Sequence, residues 1–393
     1  MTLSLSTLAR PFDTPTALAR TVDALLAGRP TPPTLFALGE PTHGIAAFPA
    51  LRNDLLARLV DRGFRSIALE IDWFAASVVD DYVTGGAGDL DTVLTTGFSH
   101  GFGTLDGNRD LVVWLRDHNA GRPAHEQVRF HGFDAPVEYA AAPSPRAFLT
   151  AVVDRLPAPL RPISTDDLDV LAGDDADWSN PDAMYDAAAS IGGSDRARAL
   201  RVVADDLADA VHRAGPALHD YPAAAAHART AQGLLRYHAV MADPGDDRIA
   251  VLLAVRAEMM AENLLAIAAR EGRRGPTLVF AHNAHLQRSR PDRATGHENA
   301  GTCVARILGD RYLMVATDGA PRPEPGTLQG LLAAATDRRT LFPSADLHAV
   351  LPATLSAGTP LVPGHIPLDT DAFTGTDAVV FVTDTDGHRQ QYW

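Results

Sequence analysis

The chain has 393 residues, with 34 basic side chains against 49 acidic ones and a formal charge of −15. Nucleic acids and anionic membrane surfaces both need a cationic footprint, so neither is an expected partner. Every basic residue is arginine, which excludes a Schiff base, a pyridoxal anchor and a phosphate-loop lysine, and the single Cys303 excludes a disulfide framework and any multi-cysteine zinc or iron–sulfur site.

A hydrophobic share of 46% with 21% charged residues suits a globular chain with a sizeable core. Residues 1–20 carry no apolar block of signal-peptide length, and no stretch approaches the roughly 20 apolar residues of a membrane helix. The expectation is a soluble, cytoplasmic protein.

Short aliphatic and β-branched runs that stop at Gly, Asp, Glu or His read as buried parallel strands. In chain order they are 34–38, 66–69, 128–133, 277–281, 312–316 and 378–383. Between the first of them lie helical patterns: 48–62, with Leu51, Leu55, Leu56, Leu59 and Val60 on one side, and 108–119, with Leu111, Val112 and Leu115. Alternation of this kind implies an α/β fold, a mostly parallel central sheet flanked by helices. Residues 144–275 interrupt it with Ala-rich helical segments at 197–214, 222–241 and 248–270. The chain therefore reads as one α/β core in two parts, 1–143 and 276–393, around a large all-helical insertion, 144–275, that walls a cleft. The Pro- and Gly-rich span 320–326 reads as a surface loop.

Ligands of parallel sheets bind where loops leave the carboxyl ends of strands. Four separated strands deliver ionisable groups there: Glu40 and His43, then Glu70 and Asp72, then Asp134, then His282 and His285. Each has an ordinary structural role available. Asp72 and Asp134 suit helix N-caps. Glu40 and His43, three residues apart between glycines, sit on backbone that can approach a ligand closely. Glu70 ends an apolar strand, where burial without a partner is costly, and an imidazole would relieve that cost. Glu70 is therefore expected to orient and charge His43, as a carboxylate does in a hydrolytic dyad.

Three further patterns stay open at this stage. Gly97-Phe98-Ser99-His100-Gly101 matches the G-x-S-x-G nucleophile elbow, but the strand before it and the helix after it that the elbow needs are not evident. The alternatives are a Gly-rich active-site loop carrying His100 and an ordinary surface loop, the second being favoured. The His and carboxylate set could ligate a metal, although H-E-x-x-H and the helical i, i+4 spacing of a zincin are absent. Arg256, at the edge of an apolar helical stripe, either lays its stem on the core or binds a substrate oxygen.

The strings Leu38-Gly39-Glu40-Pro41-Thr42-His43-Gly44, Ala68-Leu69-Glu70-Ile71-Asp72-Trp73, Asp110-Leu111-Val112-Val113-Trp114-Leu115-Arg116, Phe130-His131-Gly132-Phe133-Asp134, Arg256 with Met260-Ala261-Glu262-Asn263, and Ala281-His282-Asn283-Ala284-His285 resemble the erythromycin esterase family in matching order. The resemblance runs from about residue 35 to residue 313. It implies a metal-independent, cofactor-free hydrolase that opens a macrolactone ester, with His43 as general base and Glu40 and Glu70 setting its charge and orientation. It further implies His285, less surely His282, at the carbonyl or leaving group, and Arg52 against substrate. Asp72, His100, Asp134, Arg256 and Asn283 complete the expected substrate-binding set, the substrate being a macrolide or other polyketide-like ester. Ala257 departs from the pattern, because the family often has an acidic residue directly after the matching arginine. That departure touches the substrate more than the chemistry.

Shared scaffolds diverge in reaction. The same His and Glu set could serve a cyclase or dehydratase tailoring a polyketide-type product, or remain as a relic in a binding protein.

Overall fold

A computed structural model describes residues 5–138, 141–289, 298–320, 324–385 and 387–392. Eight strands form one sheet: β1 (Arg10–Pro11), β2 (Leu35–Glu40), β3 (Ser66–Asp72), β4 (Arg129–Asp134), β5 (Thr277–His282), β6 (Tyr312–Gly319), β7 (Arg339–Pro343) and β8 (Ala378–Val382). Their spatial order is β1-β7-β8-β6-β2-β5-β3-β4. The pairs β2–β5, β2–β6, β3–β5 and β6–β8 are parallel, and β7–β8 and β1–β7 are antiparallel.

Every residue of β2, β5, β6 and β8 is buried, which is why these strands are continuous apolar runs without alternation. Phe36, Leu38, Leu69, Leu278, Phe280, Val315 and Val380 pack with Phe48, Leu51, Leu55 and Leu56 of the helix Ala47–Val60 and with Leu111, Val112 and Leu115 of the helix Asp106–Asn119. Strands β2 to β6 run past their expected ends, whereas β8 stops one residue short of its own. In the parallel register Leu38 pairs with Phe280, Gly39 with Ala281 and Glu40 with His282, so Glu40 and His282 are the last residues of adjacent strands and not the first residues of loops.

By internal packing the chain divides into two compact units, Met1–Phe133 with Leu264–Trp393, and Asp134–Asn263. The named elements that lie wholly in the second unit are helical, the longest being Asp195–Ala214 and Tyr221–Met241, and Glu138 and Ala141 form an isolated bridge. Its interior is Leu149, Val152, Leu168, Trp178, Leu200, Leu207 and Leu235. Of the expected loop at 320–326, residues 321–323 lie outside the described residues. Among the described residues no helix is long and apolar enough to cross a membrane.

Candidate active site

The site is assembled at the carboxyl ends of β2, β3 and β5. His43 lies in the turn that follows β2. Its Nδ1 is 2.8 Å from Glu40 Oε1, and its Nε2 is 3.8 Å from Glu70 Oε2. Glu70 is a hub: its Oε2 accepts the His282 backbone N–H at 2.8 Å, and its Oε1 lies 3.1 Å from His285 Nε2. Strand pairing thus brings together residues more than 200 positions apart in the chain.

Burial disfavours the imidazolium of His43, but the charge of Glu70 and the hydrogen bond to Glu40 outweigh it and raise the pKa above the ordinary imidazole value; His100 opposes them weakly. Glu40 is also pushed up, by burial, against the pull of His43 and Arg52. The two groups therefore compete for one proton. With Glu40 ionised, the neutral ring is held as the Nδ1–H form, with its Nε2 lone pair toward Glu70.

Arg52, on the helix Ala47–Val60, is buried to 1% exposure. Its guanidinium donates to Asn108 Oδ1 at 2.7 Å, to the Gly107 carbonyl at 2.7 Å and to Asn53 Oδ1, and it lies over the Phe280 ring at 4.9 Å. Burial lowers its pKa to about 10, so it stays cationic and offsets the buried carboxylate of Glu40. Glu40, His43, Arg52, Glu70, Phe102 and Asn108 are among the residues lining a cavity of about 20 Å³, room for a single water.

The remaining expected residues have other partners. His282 donates from Nε2 to the Pro41 carbonyl at 2.9 Å and accepts the Ala284 N–H at Nδ1 at 3.1 Å, so both ring nitrogens are engaged by backbone. Burial, with His43 beside it, lowers its pKa to about 4 and keeps it neutral. Asn283 holds the Thr317 backbone with both ends of its amide and lies across Gly39, where a Cβ would stand 2.1 Å from its Oδ1. Asp72 accepts from Phe74 and Ala75 N–H at 2.8 and 2.6 Å and so holds the turn before the helix Ala76–Val83, whose N-cap is Ala75 and not the aspartate. His100 is buried at φ +58, and its ring is 5.5 Å from Phe102, which is itself 4.9 Å from His43. Asp134 and Arg256 meet each other in the second unit as a two-pronged ion pair, at 2.9 and 2.5 Å.

Ser99 lies between the helix Leu90–Thr96 and the 3-10 turn Phe102–Thr104, and its Oγ accepts the Asp72 N–H at 2.9 Å. The elbow needs a strand before the serine and a helix directly after it, and this setting provides neither. Among the described residues no group of three or more His, Cys, Asp or Glu side chains is placed to hold a metal ion. Sequence reasoning missed Asn108, which holds the buried arginine, and Phe102 and Tyr392, whose rings flank His43 at 4.9 and 6.3 Å. None of the three belongs to a motif that would single it out.

A half-buried imidazole between two buried carboxylates, at the carboxyl edge of a mixed sheet, defines an α/β protein with an acid–base site. The model of the erythromycin esterase family matches residues 59–357, a stretch that contains Glu70, His282 and His285 and begins after Glu40 and His43. The chain belongs to the erythromycin esterase family. Three solved structures share the fold. A Bacillus cereus protein has a TM-score of 0.72 at 17% identity, over 96% of this chain and 95% of that one. A succinoglycan biosynthesis protein has 0.63 at 17%, over 97% and 96%. A mutant of the erythromycin esterase EreC in its open conformation has 0.65 at 18%, over 96% and 95%. No curated protein matches significantly in sequence.

Proposed function

We propose that the protein hydrolyses an ester or macrolactone of a bulky natural product, without a metal, through a water activated by His43. The observation that carries this reading is the pairing of His43 Nδ1 with Glu40 at 2.8 Å while Nε2 stands 3.8 Å from Glu70. A gap of 3.8 Å is too long for a direct hydrogen bond and suits a water shared by the two groups. Nε2 takes a proton from that water as its oxygen attacks the ester carbonyl. Glu40 and Glu70 stabilise the imidazolium, and the same proton passes to the departing alkoxide as the carbon–oxygen bond breaks. One water is consumed, and one acid and one alcohol are released. His285, held by Glu70, serves the carbonyl or the leaving group. Arg52 pulls Glu40 back toward its charged form against the effect of burial, and family membership supports the esterase class.

The test uses a macrolide lactone and p-nitrophenyl butyrate in ¹⁸O-labelled water. Ring-opened acid carrying the label supports hydrolysis, whereas an unlabelled or water-reduced product would support a cyclase or dehydratase. Replacing His43 with Ala should lower turnover by about 10²–10⁴-fold, and EDTA should leave wild-type turnover unchanged. Near wild-type turnover in His43→Ala would remove His43 from the mechanism.

A further inference from the structure

Residues 389–392 lie against the turn that carries His43. Arg389 forms an isolated bridge with Ile45, the Gln390 N–H donates to the Gly44 carbonyl at 2.8 Å, and Thr104 Oγ1 donates to the Gln391 carbonyl at 3.2 Å. The fit at Gly44 is close. That residue has φ +84, and a Cβ there would stand 2.7 Å from the Gln390 carbonyl oxygen and 3.3 Å from the Tyr392 ring. The glycine after the motif histidine thus has a second reason to lack a side chain, because the segment passes where one would project.

The segment ends on the active-site ring. Tyr392 is 4% exposed, stands edge-on to His43 at 89° with centroids 6.3 Å apart, and packs on Phe102 at 5.1 Å. Its hydroxyl accepts from the Arg389 guanidinium, which also donates to the Pro363 carbonyl at 2.9 Å. Phe102 and Tyr392, together with His282 at 5.6 Å, are the rings that surround the imidazole. An imidazole held by one direct hydrogen bond can still turn about it, and a turn carries Nε2 away from the water it must deprotonate.

We propose that Tyr392 is a positioning residue for His43: its ring, anchored through Arg389, holds the imidazole with Nδ1 on Glu40 and Nε2 toward Glu70. The role rests on His43 being the base, but ring orientation can be read without any substrate. The ¹⁵N shifts of the His43 ring should show one Nδ1–H form in the wild type on the alkaline side of its own titration. Tyr392→Ala should average them toward a mixture of tautomers, and Tyr392→Phe, which keeps the ring and loses only the hydroxyl, should restore the wild-type spectrum. On p-nitrophenyl butyrate, Tyr392→Ala should lose about ten- to a hundred-fold in kcat, the scale of a misplaced catalytic group, with KM little changed, and Tyr392→Phe should recover most of it. If Tyr392→Ala does not fold, Tyr392→Leu serves in its place. Unchanged His43 shifts in the Ala or Leu variant, or shifts in Tyr392→Phe as large as theirs, overturn the proposal whatever happens to turnover. An inactive wild type with the expected shifts would count against the esterase reading and support the positioning role.

Discussion

His282 supplies a stability prediction whose size follows from its environment. Its Nε2 donates to Pro41 and its Nδ1 accepts from Ala284, so adding a proton must break the second bond inside a buried site. The folded pKa of about 4 lies below the ordinary 6.5. The unfolded chain then takes up the proton first as the pH falls, and stability is lost between pH 6.5 and pH 4. The full displacement corresponds to about 3 kcal/mol, of which about 2 kcal/mol should vanish between pH 7 and pH 5. Urea unfolding of wild type and His282→Gln at the two pH values isolates this group, because His43, displaced the other way, contributes to both proteins alike and to first order cancels. The variant should be less stable than wild type at pH 7 and lose about 2 kcal/mol less on going to pH 5. Equal losses in the two proteins would refute the reasoning, as would a His282 ring that titrates by NMR near 6.5.

The raised pKa of His43 makes a kinetic prediction of the opposite kind: kcat/KM for p-nitrophenyl butyrate should climb with pH through a midpoint above the usual imidazole value, because only the neutral ring can accept a proton. Glu70→Gln removes the largest charge raising that midpoint and should move it down; a midpoint that stays in place argues against the electrostatic role of Glu70. Arg52→Met keeps an apolar stem over Phe280 but strips the donors to Asn108 and Gly107, and should cost about 1–3 kcal/mol in urea unfolding, with Glu40 titrating higher still. A loss below about 0.5 kcal/mol would mark the guanidinium as dispensable. Asp134→Asn removes the carboxylate that Arg256 grips through two nitrogens and should destabilise the second unit by about 1–3 kcal/mol; hydrogen exchange confined to wild-type rates across residues 146–241 would contradict that.

The strands of the sheet were legible because their interiors are unbroken aliphatic runs, such as Ile67 to Leu69 and Leu278 to Phe280. Their ends were not. Glu40, Asp72, Asp134 and His282 look like the first residues of loops, yet they complete strands, and pairing in register is a property of the partner strand that polarity along one segment does not reveal. The edge strand β1 and its neighbour β7 escaped notice for a related reason: two and five residues beginning with arginine carry too little apolar signal. In the candidate site, Glu40, His43, Glu70 and His285 could be picked out as ionisable groups at strand ends, and the structure brings these four together. The same signal could not separate them from His282 and Asn283, whose polar atoms hold backbone. What distinguishes the two sets is the partner that each polar atom meets, backbone for His282 and Asn283 and other side chains for the four, and those partners become visible only once neighbours are placed. Tyr392 carried no signal at all, since its relation to His43 depends on where the segment 389–392 comes to rest.

The spatial order of the strands has a consequence for biogenesis. β5 is inserted between β2 and β3, although well over 200 residues separate it from β2 in the chain. As the polypeptide leaves the ribosome, two hydrophobic strands wait with unpaired edges facing a gap that can be filled only after the helical segments have been made. Such edges invite pairing with the wrong strand or with another nascent chain. Slow translation or truncation upstream of residue 277 should therefore yield aggregates and not a smaller folded protein, and co-translational chaperones should engage this chain early and release it late.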